Sequence, residues 1–264
     1  MGTANPDATP VTLEHRGQLL RGTEYQPGTG TQVSPSVLLV HGFSDSSVGP
    51  QRLFVQMARQ LVSRGAVVRL YDRLGQGLSD GEFEDITLRD EIEQVSRMIE
   101  AFARDSGGAI HVIAHSLGAV ESAIAAARHP ALVASLTLWS PAGVVVDDIT
   151  VKNEIQGQSL TSVAANGGFD FGGMWLGQAF IDDVRNNLDV YQEASGYPGP
   201  VRVLHGTKDR IVPTEYGRRY ADLLPDATFI AVPGADHAWS RVTWREELLR
   251  HLVAHLMLPE PQPL

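Results

Sequence analysis

Cysteine is absent from the 264-residue chain, and basic side chains are scarce in it. The lack of thiols excludes disulfide bonds, thiolate nucleophiles, cysteine-ligated zinc and iron–sulfur clusters. Lysine and arginine number 21 against 31 acidic residues, which gives a formal net charge of -10. No run of basic residues is present that could follow a phosphate backbone, so we expect no nucleic-acid partner.

Long apolar runs are also missing. No stretch approaches the roughly 20 apolar residues that a membrane-spanning helix needs. The N-terminal residues have neither the basic start nor the apolar stretch of a signal peptide. Hydrophobic residues make up 43% of the chain and charged residues 20%, which is an ordinary globular composition. We therefore expect a soluble, cytoplasmic protein without a membrane span.

Short β-branched runs alternate with amphipathic segments along most of the chain. The predicted strands are residues 36–40, 67–71, 110–114, 132–139, 201–204 and 228–232, and an N-terminal hairpin pairs residues 11–15 with 18–25. The predicted helices are residues 51–64, 88–104, 117–128, 215–224 and 245–257. This alternation predicts an α/β fold with a mostly parallel sheet of about eight strands, flanked by helices on both faces.

One long segment interrupts the alternation. Residues 141–199 are rich in glycine, asparagine and aspartate, and they include the aromatic residues Phe169, Phe171 and Trp175. We predict one core domain formed by residues 1–140 and 200–264, into which residues 141–199 are inserted as a small cap or lid. The alternative is a surface excursion that only packs on the core, but long irregular insertions in compact domains are more often functional.

The segment Ala114-His115-Ser116-Leu117-Gly118 joins an apolar predicted strand to a helix of small residues. A nucleophilic serine on such a sharp strand-to-helix turn adopts strained backbone angles. The residues two positions before it and two positions after it must therefore be small. Ala114 and Gly118 meet this demand, although the commoner pattern has glycine at the first of the two places. We predict that Ser116 is a nucleophile; the alternative is a serine that only caps the helix.

A nucleophilic serine needs an adjacent base and an acid that orients the base. After a serine turn of this kind, the acid and then the histidine follow in chain order. Asp209 follows the predicted strand 201–204 and a glycine turn, and His237 ends the loop after strand 228–232. Because parallel strands end at one edge of the sheet, we predict that Ser116, Asp209 and His237 form a catalytic triad.

Other residues compete for these roles. Asp147 or Asp148, which follow the preceding predicted strand, could serve as the acid instead of Asp209. Asp236 adjoins His237 but is expected to point elsewhere. Taken alone, Asp209 could be a helix-terminal acid and His237 an ordinary surface histidine. The other histidines near these loops are expected to pack or to form ordinary hydrogen bonds: His111, His115 and His205.

Acyl transfer also requires backbone N–H donors for the oxyanion of the tetrahedral intermediate. One comes from the residue after the serine and one from the loop after the third strand, which nominates Leu117 and Phe43. His41-Gly42 at the end of the apolar strand 36–40 allows the chain to turn tightly there. We predict that Phe43 and Leu117 form the oxyanion hole.

Together these segments resemble the α/β-hydrolase family, and specifically the small bacterial cinnamoyl and feruloyl esterases. The resemblance covers most of the chain and rests on five segments: His41-Gly42-Phe43, residues 71–87, the turn at Ser116, residues 200–213, and Gly234-Ala235-Asp236-His237. It implies the α/β-hydrolase fold with a small inserted lid.

In these esterases the lid supplies polar groups to the phenolic hydroxyl of the acyl part. The resemblance implies that Gln156 and Asp148 contact the substrate, with Trp175 and Phe180 as aromatic contacts. The alternative for Gln156 and Asp148 is a solvated position in the cap. Where such lids often carry tyrosine, this sequence has Phe180, which departs from the pattern.

We therefore predict a serine carboxylic ester hydrolase that acts on a small-molecule ester through an acyl-enzyme, with no metal and no organic cofactor. Aromatic esters of the cinnamoyl or feruloyl type are the expected substrates. The same fold also hosts monoacylglycerol lipases, thioesterases, peptidases and carbon–carbon hydrolases, and a non-catalytic ligand-binding protein is a further alternative. A homodimer is an open option for the assembly.

Overall fold

The computed structural model describes residues 7–28, 35–186 and 189–259. Its strands are the apolar runs of the sequence, bounded by glycine, proline and polar residues. The strands of the described residues are β1 (Asp7–His15), β2 (Gln18–Gln26), β3 (Ser36–Val40), β4 (Val67–Tyr71), β5 (Ile110–His115), β6 (Val133–Trp139), β7 (Glu154–Ile155), β8 (Gln158–Ser159), β9 (Gly168–Phe171), β10 (Met174–Gly177), β11 (Val201–Gly206) and β12 (Ala227–Val232).

Eight of these strands form one sheet in the order β1-β2-β4-β3-β5-β6-β11-β12. β1 and β2 form an antiparallel hairpin, and β2 pairs antiparallel with β4. All later neighbours in the sheet are parallel. Arg16 and Gly17 both have positive φ, as a two-residue hairpin turn between twisted strands requires. The predicted mostly parallel sheet of about eight strands is confirmed.

Helices cover both faces of the sheet. The α-helices of the described residues are α1 (Leu53–Val62), α2 (Leu88–Ser106), α3 (Leu117–Arg128), α4 (Val144–Asp147), α5 (Val163–Asn166), α6 (Gln178–Arg185), α7 (Val190–Ala194), α8 (Thr214–Leu223) and α9 (Val242–His255). The apolar sides of α2 and α3 join the core on one face, and those of α1 and α9 join the core on the other. None of the helices in the described ranges is long and apolar enough to cross a membrane.

The predicted and observed boundaries differ at α1, which begins at Leu53 rather than at residue 51. Gln51 and Arg52 have φ of 45° and 63°. These angles are incompatible with the α-helix, so residues Pro50–Arg52 form a separate tight turn before it. By contrast, β3, β4 and α3 have the predicted bounds.

Between β6 and β11 the chain leaves the sheet and forms small elements. It runs through α4, a wide helical turn at Asp148–Lys152, the hairpin of β7 and β8, α5, the hairpin of β9 and β10, α6 and α7. Phe171 and Phe180 of this segment pack on Phe43, with ring centroids 5.2 and 5.1 Å away. The inserted segment, residues 141–199, therefore lies against the loop after β3. Its division from the core as a lid stays a prediction.

Candidate active site

Ser116 occupies the sharp turn between β5 and α3. Its φ of 57° and ψ of -124° are rare for a residue with a side chain. The turn is held in place because the Ser116 N–H donates to the carbonyl oxygen of Trp139 at 2.9 Å. The Ser116 carbonyl in turn accepts hydrogen bonds from the N–H groups of Ala119 and Ala142, at 3.1 and 3.0 Å. Neighbouring backbone thus holds a strained residue at the carboxyl edge of the sheet.

Small residues around Ser116 allow two backbone segments, the loop after β3 and the start of α3, to come into direct contact. A Cβ atom added at Gly118 would lie 2.0 Å from the carbonyl oxygen of His41, and one added at Gly42 would lie 3.0 Å from Cβ of Ser116. Ala114 is fully buried in the centre of the sheet. The loop after β3 therefore touches the first turn of α3 directly, which only glycine at position 118 permits.

The side chains of Ser116, His237 and Asp209 form a continuous hydrogen-bonded chain. His237 Nδ1 lies 2.7 Å from Asp209 Oδ2, and His237 Nε2 lies 2.9 Å from Ser116 Oγ. Since a carboxylate only accepts, Nδ1 of the neutral imidazole carries the proton and Nε2 is left to accept the serine O–H. This arrangement leaves the histidine ready to take the serine proton.

Asp209 is held as an anion inside the protein, with its side chain fully buried. Burial alone would raise its pKa, but hydrogen bonds from His205 and His237 outweigh this and hold the pKa of Asp209 well below its usual range. The second carboxylate oxygen accepts from the N–H groups of Ile211 and Val212, at 2.9 and 2.8 Å. The carboxylate is thus fixed in position as well as in charge.

The competing acids are engaged elsewhere. Asp147 accepts from the hydroxyl of Tyr216 at 2.6 Å, and Asp148 accepts from Nζ of Lys152 at 2.7 Å. Asp236 accepts from the N–H of Ser240 at 3.0 Å. Asp209 is the carboxylate that contacts His237.

Two histidines for which the sequence predicts only packing or ordinary hydrogen bonds support this chain of contacts. His115 Nε2 donates to the carbonyl oxygen of His237 at 2.8 Å. His205 Nε2 lies 2.9 Å from the carbonyl oxygen of Val212 and 3.4 Å from Asp209 Oδ2. Burial and the neighbouring His237 lower the pKa of His115 to about 3, so its ring stays neutral. His115 therefore holds His237 in place, and His205 supports Asp209.

The two predicted oxyanion donors flank Ser116. Leu117 is the first residue of α3, so its N–H has no carbonyl partner one turn earlier in the helix. Within the described residues, the N–H of Phe43 has no acceptor. Phe43, Ser116 and Leu117 line the same pocket. Their role as an oxyanion hole stays a prediction.

This pocket has an empty volume of about 420 Å³, part of it open to solvent. Seven of its twelve lining residues come from the inserted segment: Ala142, Val144, Val145, Asp148, Ile155, Gln156 and Phe180. The structure thus brings three of the four predicted substrate contacts, Asp148, Gln156 and Phe180, to the space beside Ser116. Its walls are mainly apolar.

Trp175 does not line the pocket, contrary to its predicted contact with substrate. It lies on β10 with 44% of its surface exposed, whereas the next residue, Leu176, is fully buried. Successive side chains of a strand point to opposite faces, and the inward place goes to Leu176. The indole instead lies beside Gly168 of the paired strand β9.

One group of side chains in the described ranges has metal-ligand spacing: His15, Asp90 and Glu93. The guanidinium of Arg16 pairs with both carboxylates, at 2.7 Å for Asp90. His15 Nε2 also lies 2.9 Å from Asp90. These ion pairs account for the group without a metal.

The chain matches known hydrolases in sequence and in fold. Residues 37–249 match the alpha/beta hydrolase family. The probable lysophospholipase BODYGUARD 2 of Arabidopsis thaliana is 22% identical over 292 aligned residues, which cover 86% of this chain and 59% of the plant protein. This chain therefore spans only 59% of that relative's length. The 2-(acetamidomethylene)succinate hydrolase of Mesorhizobium japonicum is 24% identical over 248 residues, covering 79% of this chain and 84% of the relative.

A solved structure with the same architecture is that of Est1E from Butyrivibrio proteoclasticus with ferulic acid bound. It superposes with a TM-score of 0.83 and 22% sequence identity, covering 94% of this chain and 99% of Est1E. At this level of identity the likeness shows a shared fold.

Substitution of Gly118 by alanine tests the close approach of the two backbones. The new methyl group would meet the His41 carbonyl oxygen at 2.0 Å, so the loop after β3 must move. We expect Gly118→Ala to lower the free energy of unfolding by about 1–3 kcal/mol and to reduce ester hydrolysis. Urea unfolding and a p-nitrophenyl ester assay measure both. The control is Gly108→Ala, where the methyl group meets open space; equal effects at both sites would contradict the prediction.

Substitution of His115 by glutamine tests the neutral buried imidazole. The unfolded chain takes up a proton at a pKa near 6.5, whereas folded His115 takes it up only at about 3. Stability is therefore lost as pH falls from about 6.5 to about 3, by up to ~1.4 kcal/mol per pH unit for one proton. Glutamine keeps an N–H donor but does not titrate, so we expect a shallower loss of stability in His115→Gln. Urea unfolding at pH 6, 5 and 4 measures it; identical slopes would refute the assignment.

Proposed function

Because this chain belongs to the alpha/beta hydrolase family, we propose that it is a serine ester hydrolase with Ser116 as nucleophile, His237 as general base and Asp209 as the orienting acid. The observation that carries the proposal is the unbroken contact chain, 2.9 Å from Ser116 to His237 and 2.7 Å from His237 to Asp209. A serine is activated as a nucleophile when a base lies within hydrogen-bond reach of its hydroxyl and an acid lies within reach of that base.

The reaction has two steps. His237 Nε2 takes the proton of Ser116 as Oγ attacks the ester carbonyl, and it returns that proton to the leaving alcohol when the C–O bond breaks. His237 then takes a proton from the water that attacks the acyl-enzyme carbonyl. It returns this proton to Ser116 Oγ when the acyl–Oγ bond breaks and the carboxylic acid leaves. The anion of Asp209 stabilises the imidazolium in both steps. The N–H groups of Phe43 and Leu117 bind the oxyanion, and one such donor is worth ~3 kcal/mol.

The pocket beside Ser116 is the acyl site in this proposal, and residues 141–199 are its lid. The apolar walls suit an aromatic or aliphatic acyl chain, and Asp148 and Gln156 add polar groups to them. Oδ1 of Asp148 is taken by Lys152, while Oδ2 accepts no hydrogen bond from the residues that the structure describes. We propose that this oxygen accepts the phenolic hydroxyl of a hydroxycinnamoyl ester, in keeping with the ferulic acid bound by Est1E.

Removal of the nucleophile tests the reaction type. We expect Ser116→Ala to abolish labelling by a fluorophosphonate probe and to lower kcat on a short p-nitrophenyl ester by about 10⁴-fold or more. His237→Ala should have a comparable effect on kcat, since the two residues act as a unit. Ser106→Ala, at the exposed end of α2, is the control and should label fully. Equal labelling of Ser116→Ala and the wild type would rule the mechanism out.

The substrate class is tested by comparing methyl p-coumarate with methyl cinnamate, which differ only in the phenolic hydroxyl. A hydrogen bond to a charged group contributes about 1.5–3 kcal/mol, so Asp148→Ala should lower kcat/KM for the coumarate about 10- to 100-fold. The cinnamate value should change little. The control is Asp147→Ala, whose carboxylate contacts Tyr216 instead of the acyl pocket. If Asp148→Ala lowers both values equally, or if aliphatic esters of similar length react faster than the coumarate, the hydroxycinnamate assignment fails.

A further inference from the structure

Arg73 is a fully buried cation whose guanidinium contacts the backbone of the loop after β3. Nη1 donates to the carbonyl oxygen of His41 at 2.7 Å, and Nη2 donates to that of Gly42 at 2.8 Å. Nε donates to Glu91 of α2 at 2.8 Å. The side chains of Arg73 and Glu91 are 0% exposed, so this group contributes nothing to the surface of the protein.

The Gly42 carbonyl has a second donor. His41 Nδ1 donates to it at 2.8 Å, while His41 Nε2 accepts the N–H of Arg73 at 3.1 Å. Burial and the adjacent Arg73 charge lower the pKa of His41 well below its usual value, so the ring is neutral, with the proton on Nδ1. Two hydrogen bonds therefore fix the direction of one carbonyl group.

That carbonyl belongs to the same planar peptide unit as the N–H of Phe43. In a trans peptide the two groups point in opposite directions. Fixing the Gly42 carbonyl toward Arg73 therefore fixes the Phe43 N–H on the other side of the plane. Donors on the carbonyl also polarise the peptide and strengthen its N–H as a donor.

The same cation is connected to the second oxyanion donor. Glu121, one helical turn into α3, places Oε2 3.4 Å from Arg73 Nε and is also fully buried. Burial raises the pKa of Glu121 well above its usual value, although the nearby Arg73 charge opposes this shift. α3 begins at Leu117, whose N–H is the second donor. A buried cluster of Arg73, Glu91 and Glu121 thus links the two backbone segments that flank Ser116.

A buried charge cluster is not by itself evidence of a stabilising role. Burying charges costs solvation energy, and apolar residues of similar volume are often as stabilising as a buried ion pair. What apolar side chains cannot do is hold two carbonyl groups at once. The planar guanidinium has five N–H donors in a rigid fork, whereas lysine offers one point charge on a flexible stem.

We propose that Arg73 is a positioning residue for transition-state stabilisation, holding the Gly42–Phe43 peptide and the first turn of α3 so that the N–H groups of Phe43 and Leu117 converge on the oxyanion. The inference rests on the proposed function, because it presupposes an acyl-enzyme at Ser116. Arg73 itself does not contact the substrate: it lies behind the loop and does not line the pocket.

The test uses Arg73→Lys and the double variant Arg73→Met/Glu91→Gln, which removes the cation together with the carboxylate that accepts its Nε–H. The control is Arg69→Met/Glu24→Gln, four residues earlier in the chain on β4, which removes a largely buried ion pair that makes no contact with the loop. Active sites are counted by the endpoint of fluorophosphonate labelling. Per active site, we expect kcat to fall about 10²- to 10³-fold in the Arg73 variants, with KM within about threefold of the wild type. The control should keep both constants.

The carbonyl stretch of a cinnamoyl acyl-enzyme gives a spectroscopic reading of the oxyanion contacts. Weaker hydrogen bonds to the acyl oxygen raise this frequency, so we expect a shift to higher wavenumber in the Arg73 variants and none in the control. A milder variant, His41→Phe, removes the second donor to the Gly42 carbonyl together with the acceptor of the Arg73 N–H, and it leaves all charges in place. It should lower kcat about tenfold, with a partial shift, and it remains informative if the Arg73 variants do not fold.

Unchanged kcat per active site and an unchanged carbonyl frequency in the folded variants would overturn the proposal. So would a rise in KM that accounts for the whole loss of kcat/KM. Failure of the proposed function is distinguished from both outcomes, because the wild type would then form no acyl-enzyme at Ser116.

Discussion

The loop after β3 lies in direct backbone contact with the first turn of α3. A single added methyl group at Gly118 would lie 2.0 Å from the carbonyl oxygen of His41. This contact requires β3 and β5 to be neighbours in the sheet, as they are. The contact also requires a strained φ at Ser116, because the chain must turn sharply between β5 and a helix that starts so close to the neighbouring loop. Both predicted oxyanion donors then lie beside the serine hydroxyl.

A close approach of this kind buries polar groups, and several of them bond to partners that are distant in sequence. His115 contacts the carbonyl of His237, 122 positions away, and Arg73 contacts the carbonyl of His41, 32 positions away. Unsatisfied polar groups are costly at low dielectric, so each of these contacts favours the folded arrangement. His237 and the loop after β3 are therefore positioned by the same folded core that carries Ser116.

This explains which features could be predicted from the sequence. The strands and the loops with Ser116, Asp209 and His237 follow from local patterns, because β-branched runs end at glycine or proline and parallel strands end at one edge. The supporting roles of His115 and Arg73 leave no local pattern, since each depends on a partner that is distant in sequence. Trp175 was misplaced for a related reason: in the irregular inserted segment nothing local indicates which face of a short strand turns inward.

The site also separates the reaction from the choice of substrate. Ser116, Asp209 and His237 belong to loops of the sheet, whereas seven of the twelve pocket residues belong to the inserted segment. Relatives that share the sheet can therefore differ in substrate, as the names lysophospholipase and 2-(acetamidomethylene)succinate hydrolase show. Asp148 reaches the pocket because a wide helical turn follows α4 directly. A change of length in that turn would redirect the acidic side chain while leaving the contact of Ser116 and His237 intact.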